Sequence, residues 1–156
     1  MRLLALVLML VLPVQAAALS CLRPSVERTY KEVEAAEESY IVVAGRLTFD
    51  RRALPKGGNN DAPKMTRIAG QLVGKSMTAN GFKVPFDHAV TLEIACFGPW
   101  CGGAENGGQV LAFVKREKGT YALGVTPCGG HVFPNPKPAM LKQVVQCYKG
   151  GRCKPR

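Results

Sequence analysis

Carboxylates and aromatic rings are both scarce in this chain. Its 156 residues hold 11 Asp+Glu against 21 Lys+Arg, for a formal net charge of +10, with two histidines and one tryptophan among 7% aromatic residues. So few rings leave little to stack between bases, which counts against a nucleic-acid reader even in a basic protein. No Cys-x-x-Cys occurs, and thioredoxin-type redox chemistry goes with it. No Gly-x-Ser-x-Gly or comparable signature accompanies His88 or His131, so no catalytic residue is assigned and no enzyme is expected. Gly74-Lys75-Ser76 resembles the end of a phosphate loop. The glycine that should precede it across four intervening residues is Ala69, and the segment reads as strand. No apolar run reaches the ~20 residues needed to span a bilayer.

What is present points to export. Met1-Arg2 gives a cationic start, Leu3 to Val14 is apolar throughout, and Gln15-Ala16-Ala17-Ala18 supplies small residues, the pattern of a secretory signal. Cleavage after Ala18 leaves residues 19–156 as one domain beginning Leu19-Ser20-Cys21. A lipoprotein anchor on Cys21 is the rival reading, but a branched residue belongs where Ala18 stands and a small one where Leu19 stands. With 47% hydrophobic residues the mature part can build a core, and its length suits a single one.

All six cysteines, Cys21, Cys96, Cys101, Cys128, Cys147 and Cys153, lie beyond the signal. An even count in an exported domain reads as disulfides. Their pairing stays open at this level, with a Cys101–Cys128 link between two Cys-Gly-Gly loops as one option. The alternative is zinc held by Cys96, Cys101, Cys128 and His131; no cofactor is otherwise implied.

Hydrophobic spacing predicts the elements. Val26, Tyr30, Val33 and Tyr40 give an amphipathic helix over residues 25–40, with Glu27, Glu32, Glu34, Glu37 and Glu38 on its solvated face. Ile41 to Phe49 alternates as a first strand, and Asp50 to Lys64 has no period and reads as a long exposed loop. Even-numbered residues from Ile68 to Gly74 and from Phe82 to Cys96, around Asn80-Gly81, predict a long hairpin. Gly70 and Gly74 mark tight bending there, and Pro85 an edge or bulge. Gln109 to Lys115, apolar on both parities, predicts a strand covered on both sides, and Tyr121, Leu123 and Val125 a fifth. Pro138 opens a last helix bearing Leu141, Val144, Val145 and Tyr148, ended by Gly150-Gly151. The expected fold is mainly β with flanking helices: a five-stranded OB-type barrel with an N-terminal and a C-terminal helix.

The order of several motifs carries a resemblance. A cysteine near the mature N-terminus, a helix leading into Tyr40-Ile41-Val42-Val43-Ala44-Gly45-Arg46-Leu47, a Cys-Gly element before Gly108-Gln109-Val110-Leu111-Ala112-Phe113-Val114, then Gly119-Thr120-Tyr121 and Cys128, resemble the netrin-like family. That family includes the tissue inhibitors of metalloproteinases and small bacterial exported proteins. The resemblance implies an OB-type barrel pinned to its N-terminal segment, with Cys96 or Cys101 as the partner of Cys21, and a binding or inhibitory module without catalysis. It also implies a periplasmic or extracellular location. One departure matters: the metalloproteinase inhibitors begin Cys-x-Cys, whereas Leu22-Arg23 follows Cys21 here and Leu19-Ser20 precedes it.

Two surfaces are candidates. Phe97 to Gly103 and Thr126 to His131 are two Pro-(Trp)-Cys-Gly-Gly loops that suggest a paired rim, and Cys21 with Trp100 of the first loop suggests an anchor for a protein partner. Arg51, Arg52 and Lys56 in the long loop, with Lys149 and Arg152 in a tail held by Cys147 and Cys153, suggest a polyanion site for acidic glycan or nucleic acid. Residues 45–156 hold 17 basic and 6 acidic groups, against 3 and 5 in residues 19–44. The partner is unknown, no transmembrane segment is expected, and the chain is expected to be a monomer.

Overall fold

The computed structural model describes residues 19–58 and 61–155, so the signal assigned to residues 1–18 lies outside the described residues. Helix α1 (Val26–Glu34) begins where Ser25 caps it, the Ser25 hydroxyl oxygen accepting from the Arg28 N–H. It stops six residues short of the expected end. Tyr40 belongs instead to β1 (Ser39–Phe49), because Ser39 and Tyr40 are taken up by pairing with Arg116 and Lys115. The long loop follows with one 3-10 turn at Arg51–Ala53.

The hairpin forms as its alternation predicts. Strand β2 (Met65–Thr78) turns through Ala79-Asn80 into β3 (Gly81–Phe97), with one register shift at Ser76/Met77. Ile68, Leu72, Phe86, Val90, Leu92, Ile94 and Cys96 are buried. Val84 and His88 share that parity but are exposed, although Phe86 between them is buried. His88 instead stacks at 4.7 Å and 4.8 Å from the rings of Phe86 and Tyr121. Asp87 faces the other way and accepts from Gln71, so the adjacent pair does not cooperate.

The expectation of five strands is corrected to eight among the described residues. Besides β5 (Gln109–Glu117) and β6 (Thr120–Thr126), three short strands occur: β4 (Trp100–Cys101), β7 (Gly129–Gly130) and β8 (Val132–Pro134). They are two- or three-residue pairings at loop mouths, too short to leave a periodic signal. In the single sheet, β3–β2–β1–β5–β6 are successive antiparallel neighbours, and β6 also pairs with β3 in parallel, Thr91 to Ile94 against Ala122 to Val125. The five long strands are therefore joined in a ring of pairings.

Glycine makes the tightest crossing in that ring. Gly45 and Gly74 are register partners on β1 and β2, and a Cβ on Gly74 would lie 2.2 Å from the Ala44 carbonyl oxygen. No side chain fits between backbones so close.

Strand β5 separates two cores, as its double-sided apolar pattern predicts. Val110, Ala112 and Val114 pack with Val43, Leu47, Leu72, Leu92 and Leu123. Leu111 and Phe113 face the other way, where Val26 and Tyr30 of α1 and Val144 and Cys147 of α2 (Pro138–Tyr148) cover them. Fully burying Phe113 contributes about 2–3 kcal/mol. Helix α2 starts on a proline and ends with Gly150 N–H on Cys147 O and Gly151 N–H on Gln146 O, the paired bonds of a Schellman cap. Among the described residues no helix is long and apolar enough to cross a membrane.

Candidate functional site: the groove between the N-terminal segment and the Trp100 turn

Three disulfides are present: Cys21–Cys128, Cys96–Cys101 and Cys147–Cys153. This corrects both the expectation that Cys21 bonds Cys96 or Cys101 and the suggested Cys101–Cys128 link. Cys96 and Cys101 are register partners across the β3–β4 turn, with Cα atoms 4.0 Å apart, so each is the other's nearest sulfur. Cys128, on the β6–β7 turn where Gly129 abuts Pro24, is left to meet Cys21. The proposed zinc set is therefore not gathered as free ligands, since its three sulfurs are all spent in these bonds.

The β3–β4 turn presents the tryptophan. Gly98, at φ +59°, and Pro99 form a two-residue hairpin that sets Phe97 opposite Trp100. Both rings lie open to solvent, 46% and 39% exposed. The long loop is fastened to this turn, Gly58 N–H donating to Pro99 O at 2.8 Å. Between the turn, the loop and the N-terminal segment runs a groove of about 590 Å³. Leu19, Leu54, Pro55, Pro99, Trp100 and Pro127 give it apolar walls, Cys21 and Cys101 lie in them, and among the described residues no charged one lines it. One disulfide braces the Trp100 turn and another braces the N-terminal segment, so both sides are held before any partner arrives. Cys21 and Trp100, about half the chain apart in sequence, are thus brought to one site. Pro127 belongs to the second of the two Pro-(Trp)-Cys-Gly-Gly loops, whereas Leu19, Leu54 and Pro55 were not legible as part of the groove, because loop prolines and leucines carry no periodic signal.

On the other side of Cys21, a second cleft of about 410 Å³ separates α1 from β6 and β7, with Arg28, Thr29, Glu32 and His131 on its walls. Burial pushes the His131 imidazole below its ordinary value; Lys115 adds to that and Glu32 opposes it. The ring meets Tyr40 edge-on at 5.2 Å. The imidazole is half-buried at the wall of this cleft.

The basic candidates do not form one footprint. Arg51 and Arg52 are exposed on the 3-10 turn, and Arg52 is engaged by Asp50 at 3.2 Å, a hydrogen-bonded pair that lowers the Asp50 carboxyl. Lys56 sits beside Gly57 at the Trp100 end of β3. Lys149 is at the opposite end of that 17-residue strand, against the β2–β3 turn. Arg152 lies in the tail, its carbonyl accepting from Gln143 at 2.8 Å. Around Lys149 the structure gathers Lys83 and Lys142, which sequence reasoning missed. The seven-residue spacing of Lys142 and Lys149 on one helix face was the available signal.

Compared with protein-family models, curated proteins and solved structures, the chain matches none.

Proposed function

We propose that this chain is an exported, disulfide-braced and non-catalytic binding module, that its ring of strands is an OB-type barrel of the netrin-like kind, and that it acts as a monomer on a protein partner through the Trp100 groove. One observation carries the reading: Trp100 and the Cys21 segment line a single uncharged apolar groove whose two walls are each fixed by a disulfide. The fold reading is supported by the parallel β3–β6 pairing that joins five long strands in a ring. Export is supported by three disulfides, which persist in oxidising compartments. An exposed aromatic side chain that a partner covers carries much of a protein–protein binding energy, commonly ~2 kcal/mol or more.

The test uses the oxidised mature chain, with its partner captured from the exported fraction of its own source. Trp100→Ala should weaken the captured complex by about thirtyfold. Lys149→Gln should leave it unchanged, and affinity should vary little between low and high salt. An affinity that falls steeply with log[salt] and ignores Trp100→Ala would overturn this reading in favour of the polyanion alternative through Arg51, Arg52, Lys56, Lys149 and Arg152.

A further inference from the structure

The face opposite the Trp100 turn carries a second groove, independent of the site above. It lies where the β2–β3 turn meets α2, with a volume of about 570 Å³. Its floor is apolar: Phe82 from the start of β3, and Leu141 and Val145 one helical turn apart on α2, all partly buried. Its rim is cationic, formed by Lys83, Lys142 and Lys149, all exposed. Among the described residues no carboxylate lines it, and none of the three ammonium groups is in an ion pair. The sequence explains why: no Asp or Glu occurs from Lys118 to the C-terminus, so α2 offers its lysines no counter-charge. Lys142 follows Leu141 directly on α2, and Lys149, the residue that caps the helix, lies one turn beyond Val145 and donates its N–H to the Val145 carbonyl.

Two requirements follow from this chemistry. An inorganic anion would compensate the lysines but leave Phe82, Leu141 and Val145 in water. A neutral hydrocarbon would cover the floor and leave three cations without partners. A ligand that satisfies both has an anionic head and an aliphatic chain. We infer that the groove between the β2–β3 turn and α2 binds a single-chain anionic amphiphile as a monomer, its carboxylate, phosphate or sulfate head held by Lys83, Lys142 and Lys149 and its chain laid on Phe82, Leu141 and Val145. Charge complementarity favours this occupant over a protein segment, since a rim of three cations with no acid selects for concentrated negative charge.

Dodecyl phosphate, kept below its critical micelle concentration, is the probe. It is titrated calorimetrically into the full mature chain with its disulfides intact, and binding is mapped by amide shifts. Inorganic phosphate, dodecyl maltoside and vesicles of anionic phospholipid serve as the other arms. Dodecyl phosphate is expected to bind at least tenfold more tightly than inorganic phosphate or dodecyl maltoside, and to shift Gly81, Lys142 and Gln146. Each methylene removed from the chain should weaken binding about twofold, as for a half-covered chain. The Lys83→Gln/Lys142→Gln/Lys149→Gln variant, altered only at exposed positions, should keep the parent's thermal midpoint and lose about tenfold in affinity. Trp100→Ala should bind dodecyl phosphate as the parent does, which separates failure here from failure of the protein-binding reading. Equal affinity for inorganic phosphate or dodecyl maltoside, indifference to the triple substitution, shifts confined to another face, or binding to vesicles without binding to the monomer would each overturn the assignment.

Discussion

Removing the Cys21–Cys128 bridge should destabilise this protein more than removing either of the other two. The bridge spans 107 residues, whereas Cys96–Cys101 and Cys147–Cys153 span 5 and 6. On the chain-entropy estimate, closing the long loop restrains the unfolded chain by about 4.8 kcal/mol at 25 °C, against about 2.2–2.4 kcal/mol for the short ones. Packing works in the opposite direction. Cys21 is exposed and Cys128 half-buried, so alanines there leave almost no cavity, while Cys96 and Cys147 are buried and their loss adds about 1 kcal/mol. Cys21→Ala/Cys128→Ala should therefore cost about 4–5 kcal/mol and each local pair about 3 kcal/mol. The assay is urea unfolding at 25 °C by far-ultraviolet circular dichroism, under non-reducing conditions, with the remaining disulfides verified by mass. Typical domains hold only ~5–15 kcal/mol, so the long-range variant should unfold at markedly lower urea and near physiological temperature. A cost below that of either local pair would refute the argument that this bridge acts through chain constraint.

Gly74→Ala should destabilise by about 2–3 kcal/mol in the same assay, because its Cβ would meet the Ala44 carbonyl oxygen at 2.2 Å and β1 and β2 would have to part; an unchanged midpoint would contradict so close a crossing. Phe113→Ala should cost about 3–5 kcal/mol, since the largest fully buried side chain joins the sheet to both helices, and loss of near-ultraviolet signal with retained far-ultraviolet signal would report the helices loosening first. Acid should weaken the fold through His131. Burial and Lys115 hold its folded pKa below the ordinary 6.5, so the unfolded chain binds the proton first. The stability from the neutral ring is present above about pH 6.5 and is lost as pH falls through the folded value. His131→Gln should flatten the pH dependence of the urea midpoint in that window, and an identical slope in the variant would reject the assignment.

Local pattern made much of the fold legible. Alternation around Asn80-Gly81 fixed the hairpin and most of its buried face, the two-sided apolar run of β5 showed that it has a core on each side, and Pro138 with Gly150-Gly151 marked both ends of α2. Each is a relation between residues a few positions apart, which periodicity and turn chemistry encode. The end of α1 was not legible, because Tyr40 continues the helical spacing yet is captured by pairing with Lys115, 75 positions away. Exposure of Val84 and His88 was hidden as well: parity assigns a face, but how far each side chain on that face is covered depends on what packs over it, and Phe86 between them is buried. The site shows the division most clearly. Sequence singled out Cys21 and Trp100 separately, by chemistry and by neighbouring glycines, yet which cysteine meets Cys21, and that Trp100 shares its groove, depend on distances between residues about a hundred positions apart. The basic residues divided likewise, their number written in composition and their separation into two ends of β3 settled by the path of the chain. Periodicity reports which way a side chain faces along its own element, whereas a partner far along the chain is chosen only when the strands have registered and brought two surfaces within reach.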